Sequence, residues 1–88
     1  MEFKGTKEEW NLSIDYDDIV ETKDIIVCQV FQCNSDEHKA NAQLISAAPE
    51  LLELCLLVHH SFGGGNVITF NENDIDDFKK AINKALGQ

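Results

Sequence analysis

The side chains in this sequence that are best suited to metal binding or nucleophilic catalysis belong to three cysteines and three histidines. Cys33 lies five residues before His38, and Cys55 lies four residues before His59, a spacing that places the second pair on one helix face. Such pairs could hold zinc, or could join a thiolate nucleophile to a histidine base. The sequence contains no Cys-x-x-Cys motif and no identifiable residue to orient a base. We therefore predict buried, unreactive thiols, Cys28 included, with no catalytic residue, metal or cofactor; the alternative is a small cysteine- or zinc-dependent enzyme.

A glycine-rich stretch, Gly63-Gly64-Gly65-Asn66, could approach a phosphate group closely. Phosphate-binding loops normally lead into a helix N-terminus and include a basic residue. Here the β-rich residues 67–70 follow, and the next charged side chains are acidic. We interpret the stretch as a flexible connection. The alternative is a protein that sequesters a signalling nucleotide in a dimer pocket near these glycines.

The sequence is strongly acidic, with a formal net charge of −9 from 16 acidic and 7 basic residues. All 7 basic residues are lysines, so the sequence lacks arginine, the residue best suited to phosphate and guanine contacts. We therefore predict no direct binding to nucleic acid. Acidic clusters often serve only solubility, but they can also imitate a phosphate backbone and dock onto a basic protein surface. The residues that we assign to such a partner-binding surface are Asp15, Asp17, Asp18 and Glu21.

The length of 88 residues predicts a single domain, residues 1–88, with a small core. The first five residues include the charged Glu2 and Lys4 and lack the apolar core of a signal peptide. The longest apolar run, Leu54–Val58, has five residues, whereas a membrane span needs roughly 20. We therefore predict a soluble, cytoplasmic protein that does not bind membranes.

After a loose leader, residues 1–7, the pattern of residues 10–33 predicts an antiparallel β meander. Apolar and polar residues alternate over residues 10–16, which predicts a half-buried strand. Residues 19–21 predict a second strand and residues 25–32 a third. The third segment is apolar on both faces, a property typical of a covered central strand. We therefore expect it in the middle of the sheet, or at an edge where two copies of the chain associate.

The pattern of residues 36–61 predicts two helices that meet at Pro49, or one helix kinked there, because proline cannot continue an unbroken helical ladder. The second of these helices is apolar nearly all round, which indicates burial on most sides. A small sheet covers only one side, so the excess apolar surface favours a homodimer. The residues that we assign to the self-interface are Phe31, Leu54, Leu57 and Val58.

The end of the chain predicts a fourth short strand at residues 67–70 and an amphipathic helix over residues 74–86. Asn71 or Asn73 is the expected N-cap, and Gly87 is expected to end the helix. The predicted fold class is therefore α+β: an antiparallel three- to four-stranded meander packed against a Pro-kinked helical pair and a C-terminal helix. The apolar stripe of the last helix consists of Ile75, Phe78, Ile82 and Leu86.

The run from Ala40 to Leu54 resembles a motif of a widespread group of small phage and prophage proteins, which share an Ala-Asn-Ala-x-Leu-Ile-x-Ala-Ala-Pro-Glu-Leu-Leu-Glu core. Members of this group typically begin with a tryptophan-led strand and a meander, and often end in an Ala-Ile-x-Lys-Ala-Leu-Gly helix. Trp10 and residues 81–87 match both features. Two departures are the four residues between Gly5 and Trp10, where the group usually has Gly-Pro-Trp, and Cys55, where it often has leucine.

The resemblance implies a phage origin and expression in a bacterial cytoplasm, and it does not point to any particular activity. Small acidic phage proteins are frequently accessory factors that bind and disable a host protein, anti-CRISPR proteins among them; this is an analogy of context. We therefore predict a non-enzymatic, phage-encoded accessory protein that binds a bacterial host protein and inhibits a defence system.

Overall fold

The computed structural model describes residues 2–31, 35–63 and 71–88. The predicted fourth strand at residues 67–70 and the thiol of Cys33 lie outside the described residues. The fold class is α+β, as the sequence predicts. In chain order, the elements are β1 (Asn11–Leu12), β2 (Ile19–Glu21), β3 (Ile26–Gln29), α1 (Ser35–Ser46), α2 (Ala48–Gly63) and α3 (Glu72–Leu86).

The sheet is an antiparallel meander with the order β1-β2-β3. Val20 pairs with Cys28, whereas the next residue, Glu21, pairs with Ile26, so that Val27 is an extra residue in β3. Of the two positions predicted for the third strand, the middle of the sheet is wrong and an edge is observed, while association of two copies at that edge stays a prediction. Short connections between consecutive antiparallel strands place the second strand in the middle, and β3 lies at an edge.

β1 is much shorter than the strand predicted over residues 10–16. The Ser13 N–H donates a hydrogen bond to the Ile19 carbonyl at 2.9 Å, and beyond Ser13 the chain leaves the sheet. Ile14 is 99% exposed and Tyr16 is 61% exposed, so neither contributes to a buried face. The aspartates between and after them are poor strand formers, which favours a loop despite the apolar alternation.

The core lies around α1, which packs against β1, β2 and α3. Among the described residues, four apolar side chains are fully buried, and three of them are alanines. Small residues let the elements approach closely, but they remove little apolar surface from water. The structure is therefore held together by a thin core. Its buried apolar residues are Val20, Ala42, Ala47 and Ala81.

α1 and α2 meet at an angle of 47°. The break lies at Ala47, whose N–H donates to the carbonyls of Gln43 at 3.3 Å and Leu44 at 3.2 Å, and Pro49 occupies the first turn of α2. A proline in the first turn needs no N–H donor of its own, which allows the chain to begin a new helix there. The prediction of two helices meeting near Pro49 is confirmed.

Within one chain, α2 is not buried on most sides as its sequence predicts. Leu52 is 38% exposed, Leu57 is 36% exposed, and Cys55 is also exposed. The predicted stripe of α3 is similarly open, with Ile75 47% exposed and Ile82 49% exposed. The residue of α3 that is buried is Ala81. The apolar character of both helices therefore exceeds what a single chain covers.

α3 is the element with the most complete local signals. Asn71 is its N-cap: the side chain accepts a hydrogen bond from the Asp74 N–H at 2.9 Å, and the Asp74 carboxylate accepts from the Asn71 N–H at 3.2 Å. At the other end Gly87 adopts a φ of 75°, a left-handed conformation that favours glycine. A Cβ at Gly87 would also collide with the side chain of Gln43.

Replacing Asn71 with alanine should lower the free energy of unfolding by about 1 kcal/mol, because the N–H of Asp74 loses its side-chain acceptor. Urea denaturation followed by far-UV circular dichroism would measure the change. Asn73→Ala is the matched control, since Asn73 is exposed inside the first turn. Equal destabilisation by the two substitutions would contradict the assignment of Asn71 as the N-cap.

Candidate functional site

The acidic residues assigned to partner binding lie in the first hairpin and differ in their surroundings. Asp15 and Asp17 are exposed in the connection from β1 to β2, whereas Asp18 and Glu21 are half-buried. The Asp18 carboxylate accepts a hydrogen bond from Gln29 Nε2 at 3.0 Å, which links it to β3. Asp18 therefore connects the start of β2 to the end of β3, and Glu21 lies within β2. Asp15 and Asp17 are the two most accessible to a partner.

The hairpin tip, defined as residues 14–17, alternates two exposed apolar side chains with two exposed carboxylates. Its base is fixed by backbone contacts. The Asp15 N–H donates to Ser13 Oγ at 3.2 Å, and the Val30 N–H donates to the Asp18 carbonyl at 2.7 Å. The tip therefore presents an isoleucine and a tyrosine on an ordered support, a combination that suits a protein interface.

Sequence reasoning identified the acidic residues of the tip but missed Ile14 and Tyr16, which the alternating pattern placed on a buried face. A signal that could have revealed the loop is Ser13, since serine hydroxyls commonly accept a hydrogen bond from the N–H two residues later. Here that N–H belongs to Asp15.

A cleft of about 440 Å³ between the segment before β1 and helices α2 and α3 contains an ion pair that the sequence did not predict. Lys84 Nζ donates to Glu50 Oε1 at 2.8 Å and to the Trp10 carbonyl at 2.6 Å. The side chains of Lys84 and Glu50 are 23% and 33% exposed, respectively. Glu50 Oε2 lacks a hydrogen-bond partner among the described residues. Because Lys84 connects three segments, we assign this pair a structural role.

The cysteines and histidines do not form a cluster in the described part of the chain. Cys28 is half-buried on β3, and Cys55 is exposed on α2, so the prediction of buried thiols is wrong for Cys55. Its i+4 neighbour His59 packs edge-on against His60, with ring centroids 5.9 Å apart. His38 is half-buried on α1. Within residues 2–31, 35–63 and 71–88, no three His, Cys, Asp or Glu side chains are grouped to hold a metal ion.

The candidate phosphate-binding stretch falls largely outside the described residues. Gly63 ends α2, and Gly64, Gly65 and Asn66 are not described. The nucleotide-binding alternative therefore stays an untested prediction.

The residues assigned to the self-interface lie on different elements. Phe31 follows β3 and is 70% exposed. Leu54 and Val58 line an apolar groove between α2 and α3. Leu57 is 36% exposed and, together with Leu54, lines the cleft that holds the Lys84–Glu50 pair. The structure thus brings Leu54 and Val58 together and places Phe31 apart from them, beyond the end of β3.

In the described segments, no single helix is long and apolar enough to cross a membrane; α1 and α2 reach that length and apolar composition only together, across their 47° bend.

The sequence and the fold together describe a small acidic protein of the α+β class. The chain belongs to the family described as Salmonella phage P22 protein Y8K6, whose family model matches residues 1–88. This match confirms the phage origin that the Ala40–Leu54 motif implies. That the motif is characteristic of this family stays a prediction. Searches among curated proteins and among solved structures found no match.

Proposed function

We propose that this phage protein is a non-enzymatic accessory factor that acts in the bacterial cytoplasm by binding a host protein through the hairpin tip. The observation that carries the proposal is the exposure of Ile14, at 99%, and of Tyr16, at 61%, beside two exposed aspartates. An exposed isoleucine and tyrosine gain more from being covered than a purely polar loop would. The ordered base of the hairpin reduces the entropy lost on binding.

The charge of the tip indicates the chemistry of the partner. Asp15 and Asp17 would favour a basic surface and repel an acidic one, which sets specificity and accelerates association more than it adds affinity. Proteins that bind nucleic acid present basic grooves, and guide-dependent nucleases hold their heteroduplex in a positively charged channel. We therefore propose that the partner is a host defence protein of this kind, which the tip would inhibit by occupying the basic surface.

The test is affinity capture from a bacterial lysate with the tagged chain, followed by identification of the bound proteins. We expect one stoichiometric host protein, and at least a tenfold loss of its recovery with Asp15→Lys/Asp17→Lys or with Ile14→Ala/Tyr16→Ala, because central interface residues carry most of the binding energy.

The matched control for the lysine variant is Glu8→Lys/Asp24→Lys. Both double substitutions replace two acids with two lysines and change the net charge from −9 to −5, and both control sites are exposed and lie outside the tip. Equal loss of the host protein in both variants would show that only overall charge matters. Recovery of the chain without any host protein would contradict the proposed function.

A further inference from the structure

A groove between two helices, which we call the α2–α3 groove, is lined almost wholly by apolar side chains. It has a volume of about 300 Å³ and is open to solvent. Next to it the apolar stripe of α3 is also uncovered, with Ile75 47% exposed and Leu86 62% exposed. Contiguous apolar surface of this kind marks an interaction site. The groove is lined by Leu51, Leu54, Cys55, Val58, Phe78 and Ile82.

One chain exposes more surface than a compact monomer of its size. The whole chain exposes 6556 Å², whereas a folded monomer of 9.9 kDa is expected to expose about 5,200 Å². The radius of gyration is 15.0 Å, compared with about 12 Å for a compact domain of this length. This excess is spread over the whole chain, and the α2–α3 groove is one part of it.

The charges along α3 indicate which molecule covers the groove. The first half of the helix carries only acidic charges and the second half only basic charges. A uniformly basic or acidic partner would attract one half and repel the other. A second α3 that runs antiparallel matches both halves, because each acidic half faces a basic half. Asp77, Lys80 and Lys84 line the cleft that holds the Lys84–Glu50 pair and do not line the groove. The charges left to face a second copy are therefore Glu72, Asp74 and Asp76 in the first half, and Lys79 in the second.

We propose that the α2–α3 groove is the interface of a homodimer, in which the two α3 helices pack antiparallel across a two-fold axis near Phe78. Phe78 lies midway along the run from Ile75 to Ile82, so a two-fold axis there places Ile75 of one chain against Ile82 of the other. Asp76 then lies about 3 Å, measured along the helix axis, from the Lys79 of the second copy. Such a symmetric interface uses the same patch on both chains.

The overall charge of −9 on each chain opposes this association. At physiological ionic strength, however, exposed charges separated by more than about 8 Å are largely screened, whereas the facing halves of α3 would be in contact. The hairpin tip belongs to a different part of the chain, so this interface does not depend on the proposed host-protein binding. Each dimer would carry two hairpin tips.

The first test is the mass of the purified chain by sedimentation equilibrium at tens of micromolar. We expect twice the chain mass of 9.9 kDa for the wild type, and the single-chain mass for Ile82→Glu, which places a charge in the groove. The matched control is Ile26→Glu, since Ile26 is 63% exposed at the sheet edge and should leave the dimer intact. A monomeric wild type would overturn the proposal, and so would a dimer that Ile26→Glu disrupts and Ile82→Glu does not.

The second test reverses exposed charges, so it does not require a charge to be placed in the apolar groove. Asp76→Lys and Lys79→Asp should each raise the dimer dissociation constant at least tenfold, because each creates like charges across the two-fold axis. The combined variant restores opposite charges in reversed order and should return close to the wild-type constant. Losses that accumulate in the combined variant, or no change in any of the three, would overturn the antiparallel arrangement.

Discussion

Replacing Val20 with alanine should lower the free energy of unfolding by about 2–3 kcal/mol, from two lost methyl groups and the cavity they leave. Val20 is 0% exposed and, in the described part of the chain, is the fully buried side chain of largest volume. It lies on the central strand, paired with Leu12 on one side and Cys28 on the other. Because the remaining buried apolar residues are alanines, little else in the core compensates for the cavity. Urea unfolding, monitored by circular dichroism at fixed protein concentration, would measure the change.

Ile14→Ala is the control for this prediction, because it removes a larger apolar group from a position that is 99% exposed. Its effect should stay within about 0.5 kcal/mol. A destabilisation equal to that of Val20→Ala would mean that Ile14 is covered in solution and that the hairpin tip is not free to bind a partner. An unchanged stability for Val20→Ala would mean that Val20 does not belong to the core.

The C-terminal helix could be predicted from the sequence because its signals are local and agree with one another. An asparagine precedes an acidic first turn, lysines occupy the later turns, and Gly87 follows the last turn. Each of these favours a helix boundary within a few residues. The break at Ala47 could be predicted for the same reason, since the effect of Pro49 on the backbone does not depend on the rest of the fold.

The hairpin could be predicted only in part, because the length of a strand depends on what covers it. The alternation of residues 10–16 fits a half-buried strand, but only Asn11 and Leu12 form a strand there in the described structure. The third segment shows the opposite case, since it is apolar on both faces and yet lies at an edge. In both cases the apolar side chains left exposed, Ile14 and Ile26 among them, lie outside the core of one chain. Apolar periodicity predicts that a residue will be covered, and not which molecule covers it.

The Lys84–Glu50 pair could not be predicted at all. Lys84 is 34 residues from Glu50 and 74 residues from Trp10. A lysine in the last turn of a helix is ordinarily explained by the helix dipole, and a glutamate in a first turn equally so. Only the packing of α3 against α2 and against the segment before β1 brings these groups within hydrogen-bonding distance.

Replacing Lys84 with methionine should lower the free energy of unfolding by about 2 kcal/mol, the range of hydrogen bonds made by a charged group. Methionine keeps a long apolar stem but lacks the ammonium group, so the Trp10 carbonyl and Glu50 Oε1 both lose their donor. Glu50 Oε2 has no partner among the described residues, so the carboxylate would then be left half-buried without compensation. Lys80→Met is the control, because Lys80 is exposed on the same helix and its loss should change stability by no more than about 0.5 kcal/mol.

A double-mutant cycle separates the ion pair from the other roles of its members. Glu50→Gln alone also weakens a favourable contact with the N-terminus of α2, where acidic charge is stabilising. That contribution is lost equally with or without Lys84, so it cancels in the cycle. If the two side chains interact, the free energy of unfolding lost in the Lys84→Met/Glu50→Gln variant should be smaller than the sum of the two single losses by about 1 kcal/mol. Additive losses would mean that Lys84 stabilises the fold through the Trp10 carbonyl alone, because that hydrogen bond does not require the carboxylate.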